Sequence, residues 1–90
     1  MNDVEWKVVY TKQGLKDKRK ALEAGFSEKI KNLLEIVRSN PYQEYPPYEK
    51  LIGDLYGSYS RRINHQHRFV YQVYKEEHTI KVISMWTHYE

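Results

Sequence analysis

A proline-rich stretch near the middle of the chain most limits what this sequence can fold into. Residues 41–48 read Pro-Tyr-Gln-Glu-Tyr-Pro-Pro-Tyr. Each proline fixes its own backbone φ angle and disfavours a helical conformation in the residue before it. The stretch therefore predicts an irregular loop, and Asn40-Pro41 ends any helix that precedes it. Regular elements must lie on either side of residues 41–48.

Before this loop, the sequence predicts one strand and two helices. Apolar residues alternate along residues 4–10, which is the period of a strand with one buried face. Thr11 is placed to cap a helix over residues 12–24. The narrow stripe along that helix consists of Leu15, Arg19 and Leu22. A second helix opens at Ser27, with Phe26 packed in front of it as a staple. Its stripe is the more apolar one and consists of Ile30, Leu33, Leu34 and Val37.

After the loop, the sequence predicts three strands. Residues 59–64 and 67–74 are strand-like, and the short polar stretch between them suits the end of a hairpin. Residues 79–86 are rich in Ile and Val, as a central strand is. The predicted order is therefore β-α-α-β-β-β. This order indicates an α+β fold in which two helices pack on one face of a mostly antiparallel sheet. We expect a single domain over residues 1–90.

The composition argues against several classes of protein. The chain has no cysteine, so disulfide bonds and thiolate metal sites are excluded, and we expect a cytoplasmic location. Residues 1–5 begin acidic and no long apolar run follows them, which argues against a signal peptide. No segment approaches the ~20 apolar residues that a membrane span needs. We therefore expect no membrane partner.

A basic and aromatic segment is the strongest functional signal in the sequence. Residues 55–71 contain three arginines and two histidines among tyrosines, and no carboxylate lies between Asp54 and Glu76. Cations without neighbouring acids suit a polyanion, and the tyrosine rings suit a partner with planar bases. The excess of fifteen Lys and Arg over twelve Asp and Glu is mild, so the distribution of charge matters more than its sum. The segment points to RNA.

A carboxylate and an imidazole complete a set of groups suited to RNA cleavage. Glu49 lies just before the basic segment, and His88 lies near the C-terminus. Internal transesterification of RNA needs a base for the 2′-hydroxyl, an acid for the departing oxygen and positive charge at the phosphate. Both residues also have a purely structural interpretation, Glu49 as a solvated loop carboxylate and His88 as a packed terminal residue. The residues alone leave both interpretations open.

The arginines and tyrosines also have two interpretations each. The arginines either contact phosphate or form the charged face of an edge strand. Because side chains alternate along a strand, Arg61 and Arg62 point to opposite faces, so at most one of them faces a given site. We expect core positions for Tyr10, Tyr71 and Tyr74, and positions near the site for Tyr48, Tyr56, Tyr59 and Tyr89.

Two histidines spaced as His65-x-His67 raise the question of a metal site. On one face of a strand they could hold a divalent ion, but no third ligand is apparent near them in the sequence. We therefore expect neither a metal nor another cofactor.

Four short motifs give the chain a family resemblance. They read Tyr48-Glu49-Lys50-Leu51, Leu55-x-Gly57-x-Tyr59-Ser60-Arg61-Arg62-Ile63, His67-Arg68-x-Val70-Tyr71 and His88-Tyr89. In this order and at this spacing, the chain resembles the Txe/YoeB-type toxins of the RelE superfamily. These are ribosome-dependent mRNA interferases of bacterial toxin–antitoxin pairs. The resemblance runs nearly from end to end.

The resemblance implies a role for each site residue. Glu49 matches the general base that acts on the 2′-hydroxyl of the message, and His88 matches the general acid for the 5′-oxygen that leaves. Arg68 matches the arginine that stabilises the phosphate. The further residues expected to contact RNA are Arg61, Arg62, Tyr59 and Tyr89, with Arg62 favoured over Arg61. The chain departs from the family by adding Glu90 after Tyr89.

The resemblance also implies partners. They are mRNA on the 70S ribosome, a small acidic antitoxin of the YefM/Phd type, and a second copy of the chain in a homodimer. Two other functions fit the same basic surface. One is a module that contacts RNA or the ribosome without cutting, and the other is a protein-interaction domain that binds an acidic partner.

Overall fold

The computed structural model describes residues 4–86 and shows a five-stranded sheet with two α-helices in that range. The elements in chain order are β1 (Lys7–Tyr10), α1 (Lys12–Glu23), α2 (Ser27–Ser39), β2 (Tyr48–Lys50), β3 (Ser58–Arg62), β4 (Arg68–Tyr74) and β5 (Thr79–Ser84). The strand order across the sheet is β1-β5-β4-β3-β2. β1 runs parallel to β5, and the other neighbouring pairs are antiparallel. The predicted α+β fold with a mostly antiparallel sheet is therefore confirmed.

The prediction of three strands after the loop omits the edge strand β2. Its three residues pair with β3, with Tyr48 opposite Arg61 and Glu49 opposite Ser60. Three residues are too few to show an apolar and polar alternation, and the strand follows the proline-rich loop directly. Glu49 therefore lies on a strand and not in a loop.

The other strands are present with shorter bounds than predicted. β1 begins at Lys7, and the β3–β4 hairpin leaves residues 63–67 outside both strands. Asn64 closes this turn, because its Oδ1 accepts hydrogen bonds from the N–H groups of Gln66 at 2.8 Å and His67 at 2.6 Å. The Ile63 N–H still donates to the His67 carbonyl at 2.9 Å, but the His67 N–H is taken by the Asn64 side chain, so the regular ladder ends here.

Helix α1 approaches the sheet closely. Thr11 caps it as predicted, since its Oγ1 accepts a hydrogen bond from the Gly14 N–H at 2.9 Å. The same hydroxyl donates to the Ile83 carbonyl of β5 at 2.9 Å. A Cβ atom at Gly14 would overlap the Val82 carbonyl oxygen. The first turn of α1 therefore lies against the backbone of β5, where only glycine fits.

This close approach determines which side of α1 is buried. The buried residues are Gly14, Asp17 and Ala21. The predicted stripe does not face the core, because Leu15 and Leu22 are 46% and 41% exposed and Arg19 is exposed as well. Only small or hydrogen-bonded side chains fit between a helix and a strand at this distance, so apolar periodicity does not identify the buried side.

Helix α2 supplies the apolar packing that was predicted for it. Its buried residues are Ile30, Leu33, Leu34 and Val37. Phe26 precedes the first turn and packs against the core, and the helix ends at Ser39, with Asn40 as its C-cap immediately before Pro41. Neither helix within residues 4–86 is long and apolar enough to cross a membrane.

The sheet has two different faces. The covered face carries the side chains that pack with the helices, among them the fully buried Phe69, Tyr71, Ile80 and Val82. The other face, here called the site face, carries residues of opposite parity on β2, β3 and β4: Glu49, Ser60, Arg62 and Arg68. The polar residues of three neighbouring strands are thus brought together on the site face.

Candidate active site

A cavity of about 450 Å³ opens on the site face, beside the turn that joins β3 to β4. Its lining combines strand residues with the end of the proline-rich loop, the hairpin turn and one residue of α2: Glu49, Ser60, Arg62, Arg68, Pro46, Pro47, His65 and Lys29. Three of these side chains are Lys or Arg, and one is a carboxylate. The cavity therefore suits an anionic ligand and contains a group that can accept a proton.

Glu49 and Arg68 form an ion pair in this cavity. Arg68 Nη1 lies 3.1 Å from Glu49 Oε1 and 3.3 Å from Ser60 Oγ, so one guanidinium group connects three strands. The side chains are 26% exposed at Arg68 and 64% exposed at Glu49. Exposed ion pairs typically contribute about 1 kcal/mol or less to stability. The pair matters more for its geometry, which places a proton acceptor beside a cation that can bind phosphate.

Arg62 lies directly opposite Arg68 across the β3–β4 ladder. Residues paired in this way point to the same face, with Cβ atoms about 5 Å apart. Both side chains line the cavity, and Arg62 is exposed. Like charges placed opposite each other are unfavourable, and Glu49, the one carboxylate among the described residues of the cavity lining, contacts Arg68. A bound anion would compensate both arginines. The pair of arginines therefore indicates a phosphate-binding position.

Arg61 does not reach the cavity. It is 0% exposed on the covered face, where it donates hydrogen bonds to the Tyr71 hydroxyl and to carbonyl oxygens of the proline-rich loop. The predicted alternation of Arg61 and Arg62 is thus confirmed. The expected contact of Arg61 with RNA does not fit this position, because the loop would have to open before a phosphate could reach the guanidinium group.

Tyr59 also lies away from the cavity. It lies two residues before Arg61 on β3, so its side chain is on the covered face, where it is half-buried among other tyrosine rings. Its ring stacks on Tyr71 with centroids 5.6 Å apart and meets Tyr48 edge-on at 5.3 Å. Burial raises the pKa of the Tyr59 hydroxyl, and the nearby Tyr42 raises this pKa further. The expected stacking of Tyr59 on an RNA base does not fit a ring that is packed in this way.

The two histidines of the hairpin turn have different surroundings. His65 is exposed and lines the cavity. His67 is buried, and its ring stacks on Trp86 with centroids 3.7 Å apart. Within residues 4–86, no group of three His, Asp or Glu side chains is arranged to hold a metal ion. His65 thus belongs to the polar lining of the cavity, while His67 belongs to the packing behind it.

Comparison with known proteins identifies the family of this chain. The sequence profile of YoeB-like toxins of bacterial type II toxin–antitoxin systems matches residues 7–89. The chain belongs to this toxin family. The resemblance to Txe/YoeB-type toxins is therefore confirmed, and the matched range contains every site residue named above.

Solved structures of related toxins have the fold of this YoeB-like toxin. A YoeB/ParE toxin from Agrobacterium tumefaciens is 33% identical, with a TM-score of 0.83 over 92% of this chain and 99% of that one. A chain of the YoeB–YefM complex from Staphylococcus aureus is 34% identical, with a TM-score of 0.78 over 93% and 98%. The YoeB dimer from the same organism is 34% identical, with a TM-score of 0.77 over 94% and 99%. No curated protein sequence matched the chain.

Two predicted site residues of this YoeB-like toxin, His88 and Tyr89, lie outside the described residues. Met85 and Trp86, which follow the end of β5, are described. The Asp17 carboxylate is 2% exposed, and its Oδ2 accepts hydrogen bonds from the N–H groups of Met85 at 3.1 Å and Trp86 at 3.2 Å. Asp17 thus holds the backbone two residues before His88.

Three residues have roles that the sequence did not predict. Lys29 and His65 line the cavity, although His65 was considered only as a metal ligand, and Asp17 holds the backbone that follows β5. Asp17 had a weak sequence signal, because it is an acid on a helix rich in cations and lies four residues after Gln13, which donates to it at 2.7 Å. Lys29 had no such signal, because only the packing of α2 brings it beside the hairpin turn.

Proposed function

We propose that this YoeB-like toxin is a ribosome-dependent endoribonuclease that cuts mRNA in the ribosomal A site and thereby inhibits translation. The observation that carries the proposal is the Glu49–Arg68 pair, with 3.1 Å between a carboxylate oxygen and a guanidinium nitrogen in a cationic cavity. A surface that only bound RNA would have no need of a carboxylate in the lining of its cavity, because a carboxylate repels phosphate.

The mechanism is a metal-independent acid–base transesterification. A phosphate that enters the cavity competes with Glu49 for Arg68, so the carboxylate becomes available to the ribose next to that phosphate. Glu49 takes the proton of the 2′-hydroxyl, and the 2′-oxygen attacks phosphorus. Arg68 and Arg62 stabilise the negative charge that develops on the phosphate oxygens. We assign protonation of the departing 5′-oxygen to His88, as the family resemblance implies.

This route yields a 5′-hydroxyl on one fragment and a 2′,3′-cyclic phosphate on the other. Hydrolysis of the cyclic phosphate by water then gives a 3′-phosphate. The new bond joins the 2′-oxygen to phosphorus, and the bond from phosphorus to the 5′-oxygen breaks. The proton taken by Glu49 is balanced by the proton that the general acid delivers. The balance requires no metal and no cofactor.

The partners proposed for this toxin follow from its relatives and from its charge. Two of the solved structures from Staphylococcus aureus contain a YoeB–YefM complex and a YoeB dimer. We infer that this chain likewise binds an acidic YefM-like antitoxin and forms a homodimer in the cytoplasm, where its ribosomal substrate is. The antitoxin would neutralise Arg62 and Arg68, whereas Arg61 is too deeply buried to take part.

The proposal is tested with purified toxin and translating ribosomes carrying a defined message. The wild-type protein should cut the message in the A site and leave the termini described above. Glu49→Gln should lower the cleavage rate about 10²–10⁴-fold, since one acid–base group typically contributes that much. A single 2′-deoxy nucleotide on the 5′ side of the cut should block cleavage. A chelator of transition metals that leaves the Mg²⁺ of the ribosome in place should have no effect.

The same experiment separates the alternatives. Undiminished cutting of the 2′-deoxy message would indicate metal-activated water and would remove Glu49 from its role. Loss of cutting of the unmodified message with the transition-metal chelator would indicate the same. Ribosome binding without cutting would support a non-catalytic RNA-binding module. Absence of any ribosome association would support a protein-interaction domain that binds only an acidic protein.

A further inference from the structure

Arg61 is a buried cation whose hydrogen bonds go to neutral groups. Nε donates to the Tyr71 hydroxyl at 3.0 Å, and the two terminal nitrogens donate to three backbone carbonyls. The guanidinium carbon also lies 5.0 Å from the centroid of the Tyr48 ring. A buried charge is costly unless hydrogen bonds or ring faces compensate it. This environment is therefore built around Arg61.

The three carbonyls belong to one segment. Arg61 Nη2 donates to Pro41 O at 3.1 Å and to Gln43 O at 2.7 Å, and Nη1 donates to Pro46 O at 2.5 Å. The prolines have no N–H, and the segment from residue 41 to 47 contains no helix or strand. Its carbonyls therefore lack the usual backbone donors. A planar guanidinium group with five donors can meet several of them at once.

Tyr71 belongs to the same arrangement. Its hydroxyl accepts the hydrogen bond from Arg61 Nε and donates one to Pro41 O at 2.8 Å. Burial raises the pKa of this hydroxyl, and the hydrogen bond from Arg61 opposes that rise. Arg61 and Tyr71 thus hold the beginning of the loop from two strands.

The held segment leads directly to the proposed base. Pro46 and Pro47 form part of the cavity wall, and β2 begins at the next residue. β2 has three residues at the edge of the sheet, so its own ladder is short. Tyr48 lies opposite Arg61 in the register and places its ring over the guanidinium group, while Glu49 points to the other face.

We infer that Arg61 is a positioning residue for Glu49. From the covered face of the sheet, Arg61 fixes the proline-rich loop and β2. The Glu49 carboxylate therefore stays beside Arg68 on the site face. The part of this inference that concerns catalysis rests on the proposed function. The part that concerns the loop does not, and the two parts have separate measurements.

The first measurement is hydrogen exchange of the full chain in Arg61→Lys, which retains the charge but cannot reach all four acceptors. Tyr71→Phe serves as a milder second variant, and Arg62→Lys, a change at the exposed neighbour, serves as the control. We expect faster exchange within residues 42–51 in the first two variants and unchanged exchange in β4 and β5. Unchanged exchange within residues 42–51, or equal acceleration across the whole sheet, would overturn the inference.

The second measurement is a double-mutant cycle on cleavage with Arg61→Lys and Glu49→Gln. Misplacement of a reacting group by about 1 Å can cost roughly 10²-fold, so Arg61→Lys should lower kcat about 10–100-fold with little change in KM. If Arg61 acts through Glu49, the same change in the Glu49→Gln background should cost less than about 2-fold. Equal losses in both backgrounds would overturn the link to Glu49. A wild-type protein that cuts no message would defeat the proposed function instead, and the exchange result would still decide whether Arg61 holds the loop.

Discussion

The surroundings of Asp17 and Arg61 show two ways in which this protein buries a charge. Asp17 lies on α1 and contacts the residues that follow β5. Its carboxylate accepts hydrogen bonds from two backbone N–H groups and from one side-chain amide. Arg61 lies between β3 and an irregular loop and donates to three carbonyls and a hydroxyl. Their exposures are 2% and 0%. In each case the partners are neutral groups of the opposite hydrogen-bonding type.

The difference in sign follows from the backbone groups that each region leaves without partners. A loop containing Pro41, Pro46 and Pro47 has fewer donors than acceptors, so a cation with several N–H groups satisfies it. The end of a strand presents N–H groups beyond its ladder, so a carboxylate satisfies those. We conclude that the unpaired backbone groups, and not an opposite charge, determine which charged side chain each region buries.

The largest effect on stability should come from removing Arg61, which donates hydrogen bonds to the carbonyls of the proline-rich loop. Arg61→Ala leaves the carbonyls of Gln43 and Pro46 without this donor, whereas the Pro41 carbonyl keeps the Tyr71 hydroxyl. Each buried group left unpaired typically costs about 1–3 kcal/mol, and the packing of a fully buried side chain is lost as well, so we expect a loss of about 3 kcal/mol or more. Urea denaturation measures this loss. Arg62→Ala is the matched control and should change the free energy of unfolding by less than about 0.5 kcal/mol. Similar losses at both positions would contradict the difference between the two arginines.

Removing the acceptor at the end of β5 should have a somewhat smaller effect. Asp17→Ala leaves two N–H groups unpaired, which predicts a loss of about 2–3 kcal/mol. Asp17→Asn keeps a carbonyl oxygen and should lose less. Hydrogen exchange at Met85 and Trp86 should accelerate in both variants, whereas the proline-rich loop should be unaffected. Exchange that accelerates in the loop as well would show that the two regions are coupled.

The close approach of α1 to β5 is tested by Gly14→Ala. The added methyl group would overlap the Val82 carbonyl, and overpacking of this kind typically costs about 1–3 kcal/mol. Lys16→Ala lies on the exposed side of the same helix and serves as the control for helix propensity. A stabilising Gly14→Ala change would mean that the helix can move away from the strand without loss.

Alkaline pH should lower the free energy of unfolding through the two tyrosines that pack near Arg61. Burial raises the pKa of both Tyr59 and Tyr71 above the ordinary value of 10.0. A group whose pKa is raised in the folded protein contributes stability below its unfolded pKa, and that contribution disappears as the pH rises through the folded value. The free energy of unfolding should therefore fall above pH 10. Tyr71→Phe should reduce the slope of that fall, and an unchanged slope would argue against the burial of this hydroxyl.

The smallest effect should come from the exposed leucines of α1. Leu15→Lys and Leu22→Lys should each change the free energy of unfolding by less than about 0.5 kcal/mol, because neither side chain is in the core. Leu33→Ala in α2 should cost about 2–5 kcal/mol by comparison. A large loss at Leu15 or Leu22 would restore the predicted apolar stripe as a buried face.

Much of the fold could be predicted because periodicity reports burial when the buried side chains are large and apolar. The stripe of α2 is buried as expected, and the three longer strands of the C-terminal half are present. α1 did not follow this rule, because its contact with β5 is made by Gly14, Asp17 and Ala21. A glycine, a carboxylate and an alanine carry no apolar signal, so only the packing distance identifies them as buried.

The sequence by itself determined the family motifs, the loop at the prolines and the alternation of Arg61 and Arg62. The motifs are recognised from residue identity and spacing. The other two depend on local geometry, which is the fixed φ of proline for the loop and the two-residue period of a strand for the arginines. The family resemblance favoured Arg62 for the site, but strand alternation could not choose between the two arginines. The tertiary structure decided which one faces the cavity and which one holds the loop. The reason is that strand parity is symmetric between the two faces of a sheet. Only the helices on one side and the edge strand with Glu49 make the faces different.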